Sequence, residues 1–245
     1  PQSTDTPTDA HAHDTPLPAS GYHPPALTDA DRAAAFPDLH GHDMAAHMDD
    51  DPVVWMVMAD RLEWQQGDAL AWEGSAWLGH DRGRLWLRSE GERERGHATE
   101  ANVEALWGKP VNAWWDLLAG VRHDIADERR GHDGQDWLAL GVQGLAPYKF
   151  EVQATAYLGE RGQSMLQAEA EYELLLTNRL ILQPRIEAIA HGRTDAMRGI
   201  GAGLGEVDAG LRLRYEVRRE FAPYIGIDRA YRFGKTADFA RAGGD

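Results

Sequence analysis

The chain contains no cysteine, which excludes a disulfide framework, a thiolate zinc site and a cysteine nucleophile. It also has no charge-free apolar run of about 18 residues, so no helix of the sequence is predicted to span a membrane. Strands of an outer-membrane barrel remain compatible with this absence, because their alternating residues give a low average hydropathy. No apolar signal segment is present, and we expect that the N-terminus either was processed or never carried one.

Basic residues are scarce: 25 Lys and Arg stand against 40 Asp and Glu, giving a formal net charge of −15. Nucleic-acid binding needs a basic face that neutralises phosphates, so the composition argues against it. A strongly acidic chain is instead compatible with binding cations. The length of 245 residues suffices for one large domain or two small ones.

Residues 1–52 lack tryptophan and have few large apolar side chains, although they hold 8 of the 12 prolines and 6 of the 11 histidines. Ten Asp and one Arg give this stretch a net charge of −9, which leaves −6 for residues 53–245. It cannot bury enough apolar surface to offset the entropy of ordering, so we predict a disordered arm. A short helix around Asp29–Ala35 is weakly indicated.

From Val53 onward, apolar and polar residues alternate with period two. Such alternation predicts strands that have one apolar and one charged face, and it excludes the apolar stripe of an amphipathic helix. The clearest examples are Phe150–Leu158, Leu166–Leu176 and Val207–Val217. Soluble strands average about five or six residues, whereas a bilayer needs about ten tilted ones. We therefore predict an all-β fold, an antiparallel up-and-down transmembrane β-barrel, in preference to a soluble sheet.

Eleven strands are predicted, and from the fourth onward tight links alternate with long ones. Short turns at one rim and longer loops at the other are typical of outer-membrane barrels. The tight links are 109–111, 147–148, 178 and 218–220, and the long ones are 124–135, 159–164 and 191–205. The strands are 53–64, 69–78, 84–91, 98–108, 112–123, 136–146, 149–158, 165–177, 179–190, 206–217 and 221–233.

Aromatic residues cluster at the tight turns, which predicts an interfacial girdle there. They are Trp107, Trp114, Trp115, Tyr148, Phe150, Phe221 and Tyr224. Counting strands backward places the N-terminal arm at this short-turn rim, which is periplasmic in such barrels. Because single-chain bacterial barrels have even strand numbers, we expect about twelve strands in the complete protein. We interpret residues 234–245 as a long loop after which the last strand is missing.

The arm contains five soft or borderline metal ligands within nine residues: His40, His42, Met44, His47 and Met48. Imidazole suits Cu(II) and thioether sulfur suits Cu(I), and the methionines have no core to fill in this hydrophilic stretch. The pattern predicts a copper site of modest affinity, because binding would order a flexible segment. An incidental polar linker is the alternative.

Charged residues at alternate strand positions predict an ionic barrel interior. Glu169, Glu171 and Glu173 lie on one strand, and Arg212, Arg214 and Arg218 on another. Other candidates, whose facing is less defined, are Glu73, Glu90, Glu92, Glu104, Asp116 and Arg122. A paired Arg–Glu arrangement that stiffens the barrel is the first interpretation, and a cation pathway lined by surplus carboxylates is the second.

Catalytic motifs are weak. The glycine-rich run 199–205 matches neither the dinucleotide fingerprint nor the phosphate loop. His80, His123 and His132 each precede an aspartate, but neighbouring residues of a strand point to opposite faces. A rim hydrolase that uses such a histidine with an aspartate of a neighbouring strand stays an alternative, as does a closed structural barrel. We predict that the protein is not an enzyme.

Several long blocks resemble the copper resistance protein B family of Gram-negative outer membranes. The resemblance covers roughly residues 53–241, and the blocks are 115–124, 141–148, 169–177, 182–185, 210–216, 219–226 and 236–241. It implies an outer-membrane barrel that serves copper tolerance, with a Met- and His-bearing arm in the periplasm. The family's arm is often longer and richer in methionine, and its closing strand ends in an aromatic residue that is missing here.

Together these features predict that the arm collects periplasmic copper and either stores it or passes it outward through the acidic lumen. The bound or transported ion would be Cu(I), Cu(II) or both. Expected partners are membrane lipid, copper ions and periplasmic copper proteins, with no nucleic acid.

Overall fold

The computed structural model describes residues 26–35, 51–65, 69–94, 97–125 and 133–243. The chain divides into two units, Pro1–Asp49 and Asp50–Asp245. In the first unit, helix α1 (Asp29–Ala35) occupies the segment where a short helix is weakly indicated. Thr28 and Asp31 form reciprocal side chain–backbone hydrogen bonds of 3.2 and 2.8 Å at its start, which is a capping box.

The second unit is an antiparallel sheet followed by one helix. Its strands lie in the order β1 to β8, then β10, β11 and β12, while β9 pairs with β10 beside β8. Helix α2 (Gly234–Gly243) follows the last strand. The strands are β1 (Val54–Gln65), β2 (Ala69–His80), β3 (Gly83–Glu94), β4 (His97–Pro110), β5 (Trp115–Asp124), β6 (Gln135–Ala146), β7 (Phe150–Gly159), β8 (Ser164–Glu171), β9 (Leu174–Leu175), β10 (Leu180–His191), β11 (Gly203–Tyr215) and β12 (Tyr224–Arg232).

Eleven strand positions follow one another across the sheet, as the alternation predicts, because β8 and β9 share one position. The predicted strand 165–177 is interrupted there, and Pro184 of β10 explains why. The N–H and C=O of a residue in an antiparallel strand point to the same side, and the Pro184 carbonyl accepts a 3.1 Å hydrogen bond from the Tyr172 N–H. Proline has no N–H to return to Tyr172, so the ladder breaks between β8 and β9.

The sheet curls into an open half-barrel with its polar face inside. Side chains on strands that are not neighbours meet across the concave face: Tyr157 of β7 donates to Glu104 of β4 at 2.5 Å, and Arg185 of β10 lies 3.8 Å from Glu73 of β2. Arg212 of β11 approaches Glu63 of β1 to 3.3 Å. A small apolar cluster also lies on this face and includes Leu106, Leu118, Trp137, Tyr157 and Met165.

Large apolar side chains cover the convex face and are exposed. Leu140 of β6 is 60% exposed and Ile227 of β12 is 75% exposed. Further examples are Val57, Leu62, Leu87, Val103, Leu138, Leu158, Leu166, Ile186 and Ile225. In the sequence these residues occupy the apolar positions of the alternating pattern.

The two rims differ in part as predicted. Strands β5 and β10 end at the same rim, where the loop 192–202 begins, and we call this the long-loop rim; the opposite rim is the short-turn rim. The predicted long link after β7 is instead a tight turn containing a 3₁₀ helix at Glu160–Gly162. Residues 234–243, which we predicted to be a loop, form α2 at the long-loop rim, where the Thr236 hydroxyl accepts a 2.9 Å hydrogen bond from the Gly201 N–H.

The predicted strand 221–233 is shorter than expected and begins at Tyr224. Strand β11 ends at Tyr215, so Arg218 lies in the β11–β12 turn, is exposed and pairs through its backbone with Phe221. The expectation that Arg218 faces inward is therefore wrong, because the alternation of faces stops where the strand stops.

No helix in the described parts of the chain is long and apolar enough to cross a membrane.

The start of β1 is attached to the short-turn rim through Asp51. Arg82, in the β2–β3 turn, donates hydrogen bonds of 3.0 and 2.7 Å to the Asp51 carboxylate, and His80 Nδ1 lies 2.7 Å from the Asp51 carbonyl oxygen. This places the start of the strand region at the rim to which the sequence assigns the arm.

The contact between Asp51 and Arg82 can be tested through the pKa of the Asp51 carboxyl group. The hydrogen bond from the Arg82 guanidinium lowers the pKa of Asp51 below its usual value, so the contact persists above the unfolded pKa and is lost as pH falls through the lower folded value. We expect Arg82→Gln to raise the Asp51 pKa toward the ordinary range, as measured by NMR titration of labelled aspartate. Arg84→Gln, which leaves the hydrogen bonds to Asp51 in place, is the control, and an unchanged Asp51 pKa in Arg82→Gln would contradict the assignment.

Candidate functional site

The concave face is the candidate functional site, and Arg185 lies near its centre. Its guanidinium, in a side chain that is 10% exposed, is 2.5 Å from Glu169 of β8, 3.1 Å from Glu187 and 3.8 Å from Glu73 of β2. Glu187 also accepts a 2.5 Å hydrogen bond from the Gln167 amide. One cation thus holds three carboxylates from three strands at one level of the concave face.

Arg122 forms a second such centre nearer the long-loop rim. It lies 2.7 Å from Asp124 and 3.7 Å from both Glu90 and Glu104, and its side chain is 12% exposed. Its guanidinium also stacks over the ring of Tyr157, 5.1 Å from the centroid. The buried Tyr157 hydroxyl donates to Glu104, so this group of side chains joins β3, β4, β5 and β7.

Four of the predicted lumen residues lie toward the short-turn rim, and each has a partner among the described side chains. Glu173 accepts a hydrogen bond from Arg214, and Glu171 accepts one from the Gln183 amide. Arg212 contacts Glu63 of β1 and stacks over Tyr224 at 5.5 Å. Glu169, by contrast, belongs to the Arg185 centre. The structure therefore shows the paired Arg–Glu arrangement that was our first interpretation of the alternating charges.

Residues whose facing the sequence left open also contribute to the concave face. Glu73, Glu90, Glu104 and Arg122 belong to the two centres above, and Asp116 accepts a 3.2 Å hydrogen bond from Gln143.

Sequence reasoning missed Arg185 and Tyr157. A signal for Arg185 was present, because Gln183, Arg185 and Glu187 alternate with apolar residues in β10. The alternation of β7 placed Tyr157 in the polar row with Glu151, Gln153 and Thr155, but gave no signal of its contact with Glu104.

The five predicted arm ligands, His40, His42, Met44, His47 and Met48, lie outside the described residues. Within the described ranges, no group of three or more His, Cys, Asp or Glu side chains is arranged to hold a metal ion.

A cleft of about 320 Å³ opens at the long-loop rim. Its lining includes carboxylates from Asp133, Asp136, Glu160 and Asp195. Below it lies a smaller pocket of about 60 Å³, and the cleft and pocket share Gln135, Gln163, Asp195 and Arg198. Arg198 donates to the Gln135 amide oxygen and, at 2.8 Å, to the Asp133 carbonyl, which holds the 192–202 loop over the mouth.

The three His–Asp neighbours of the sequence have different surroundings. His123 Nδ1 lies 2.7 Å from Asp136 of the adjacent strand, but both side chains are exposed and His123 lines neither the cleft nor the pocket. His80 contacts Asp51 as described above, and His132 lies outside the described residues.

Comparison with known proteins gives consistent matches over most of the chain. The family model described as copper resistance protein B precursor (CopB) matches residues 53–245. The chain is 46% identical over 224 residues to the copper resistance protein B of Escherichia coli, covering 90% of this chain and 73% of that protein. It is 45% identical over 243 residues to the copper resistance protein B homolog of Pseudomonas syringae pv. tomato strain DC3000, covering 95% of this chain and 80% of that protein.

Proposed function

Because the chain belongs to the copper resistance protein B family, as its sequence blocks predict, we propose that it serves copper resistance as an outer-membrane barrel. The observation that carries the membrane part of the proposal is the distribution of side chains over the two faces of the sheet. Apolar side chains cover the exposed convex face, and ionic side chains fill the concave face. The family description as a precursor also agrees with an envelope protein.

Lipid accounts for the convex face better than water does. Soluble monomers rarely expose contiguous apolar patches larger than a few hundred Å². Here exposed Leu, Ile and Val side chains recur on β1, β3, β6, β7 and β12. Most strands run to ten residues or more, which is the length that a tilted strand needs in a bilayer.

Closure of the barrel requires one further strand. Eleven antiparallel positions leave β1 and β12 running in the same direction, with no ladder between them in the described residues. A strand running the opposite way would pair antiparallel with both edges and satisfy their backbone groups, which lipid cannot do. We therefore retain the prediction of twelve strands in the complete barrel.

The arm is proposed to capture copper on the periplasmic side through His40, His42, Met44, His47 and Met48. The contact of Asp51 with the β2–β3 turn holds the start of the strand region at the short-turn rim. Imidazole and thioether groups serve both copper oxidation states, so the arm can hold Cu(II) or Cu(I).

Copper titration of the full chain tests the arm. We expect that changing the five arm ligands to alanine lowers the number of bound copper ions by at least one, as measured by isothermal titration with Cu(II) and with Cu(I). The control variant changes His11, His13 and His23 to alanine, and it should bind more copper than the variant that lacks the five arm ligands. Equal binding by the two variants would refute capture at the five residues.

From the arm, copper would be stored or passed outward along the acidic concave face. Glu171 there accepts a hydrogen bond from the Gln183 amide and not from a guanidinium group, so no side-chain cation among the described contacts occupies its carboxylate. Copper flux into liposomes separates the two outcomes: passage predicts flux that falls when Glu169, Glu171 and Glu173 are changed to Gln. Absence of flux in the wild-type protein would favour storage, or a closed structural barrel.

The 2.7 Å contact between His123 and Asp136 is the one observation that favours the alternative, a rim hydrolase. That function predicts that His123→Ala abolishes turnover of a chromogenic ester while copper tolerance is retained.

A further inference from the structure

At the long-loop rim, His191 and Met165 stand side by side on the concave face. They are direct partners in the β8–β10 ladder, and directly opposed residues have Cβ atoms about 4.5–5.5 Å apart. Both belong to the inward-facing rows of their strands, since Glu169 and Arg185, at even spacings from them, meet inside. Both also line the 60 Å³ pocket below the rim cleft.

One nitrogen of the His191 imidazole is left without a partner in the described part of the chain. This nitrogen, Nδ1, is buried. The atom lies beside Gly205 of β11, where a built Cβ would be 3.4 Å from Nδ1 and 3.2 Å from the Thr236 hydroxyl of α2. A buried ring nitrogen without a partner costs stability, so a ligand that occupied it would repay that cost.

The two carboxylates that line the pocket are already occupied. The Asp124 carboxylate receives hydrogen bonds of 2.7 Å from both Arg122 and the Trp137 indole. Asp195 is held by the Gln163 amide at 3.2 Å and by the backbone N–H groups of the loop. Among the lining side chains, the His191 imidazole and the Met165 thioether are the borderline and soft donors, a combination that favours Cu(I) over Zn²⁺, Ca²⁺ or Mg²⁺.

We propose that His191 and Met165 form a Cu(I) site inside the long-loop mouth, separate from the arm. The pocket volume of about 60 Å³ exceeds the roughly 10–15 Å³ that a cavity needs to hold one water molecule, so a single ion fits. The acidic cleft above shares four lining residues with the pocket and connects it to the rim. The proposal rests on the proposed function for the choice of copper, and places a second binding point at the long-loop rim.

The test uses the full chain in detergent with the five arm ligands changed to alanine, under reducing conditions. Competition with a chromophoric Cu(I) chelator should show one remaining Cu(I), and its affinity should fall at least tenfold in both His191→Ala and Met165→Leu. X-ray absorption at the copper edge should show one sulfur neighbour, which disappears in Met165→Leu. This spectroscopic readout separates ligation from a packing role of the buried methionine.

The matched controls are His123→Ala, which removes an exposed imidazole, and Met58→Leu on β1, and neither should change the affinity. If the arm variant binds no Cu(I), or binds it equally after both pocket substitutions, the rim site is refuted. Capture by the arm is judged separately, from the difference between the wild-type chain and the arm variant, so either site can fail alone.

Discussion

Leu140→Arg should destabilise the protein in a bilayer by about 2–4 kcal/mol, the cost of an arginine on the lipid face near the membrane midplane. Leu140 lies at the middle of β6 and is 60% exposed on the convex face. In a water-soluble sheet the same change at an exposed position would stay within about 0.5 kcal/mol. The measurement is reversible urea unfolding in phospholipid vesicles, followed by tryptophan fluorescence.

Tyr148→Arg is the matched control, because Tyr148 is 85% exposed but lies in the β6–β7 turn at the short-turn rim. The depth dependence of the cost predicts about 0–1 kcal/mol there. Equal effects of the two substitutions would show that the convex face does not meet lipid, and the membrane part of the proposed function would fail.

Arg185→Met should have the largest effect on the concave face, with a loss of about 3–5 kcal/mol in unfolding free energy. The reason is that Glu169, Glu187 and Glu73 would remain without their shared cation. Methionine retains much of the side-chain volume, so the loss reports charge and hydrogen bonding more than packing. The same urea titration provides the measurement.

Removing the partners together should recover stability. We expect Arg185→Met combined with Glu169→Gln and Glu187→Gln to be more stable than Arg185→Met alone, because no unpaired charge is left. Arg229→Met is the matched control, since Arg229 is exposed on β12 and stacks only on Tyr231 in the described contacts. If the unfolding free energy falls no more in Arg185→Met than in Arg229→Met, water and not Arg185 stabilises the carboxylates of the concave face.

Much of the strand pattern could be predicted because it is local. Period-two alternation depends on neighbours two residues apart, and it correctly indicated eleven strand positions and which residues face outward, such as Leu158 and Leu166. It failed where long-range pairing decides the outcome. Pro184 breaks a strand about ten residues earlier in the chain, between Glu171 and Leu174, through a hydrogen bond that it cannot donate to Tyr172.

The candidate site, like the strand pattern, could be predicted only as far as local sequence determines it. The sequence shows that Glu169, Glu171 and Glu173 share a face with cationic partners on other strands, but not that Glu169 pairs with Arg185 while Glu173 pairs with Arg214. Those pairings depend on register and curvature. The five arm ligands were found from composition alone and remain a prediction.

By itself, the sequence determined the family, the acidic composition of the arm, and the strands that have one apolar and one ionic face. Each of these depends on residue types and their spacing along the chain. Only the tertiary structure decided that Arg185 and Arg122 gather carboxylates from several strands, and that His191 meets Met165 in the pocket below the rim cleft. These contacts join residues far apart in the chain, and they arise from the pairing register and the curl of the sheet, which no local pattern encodes.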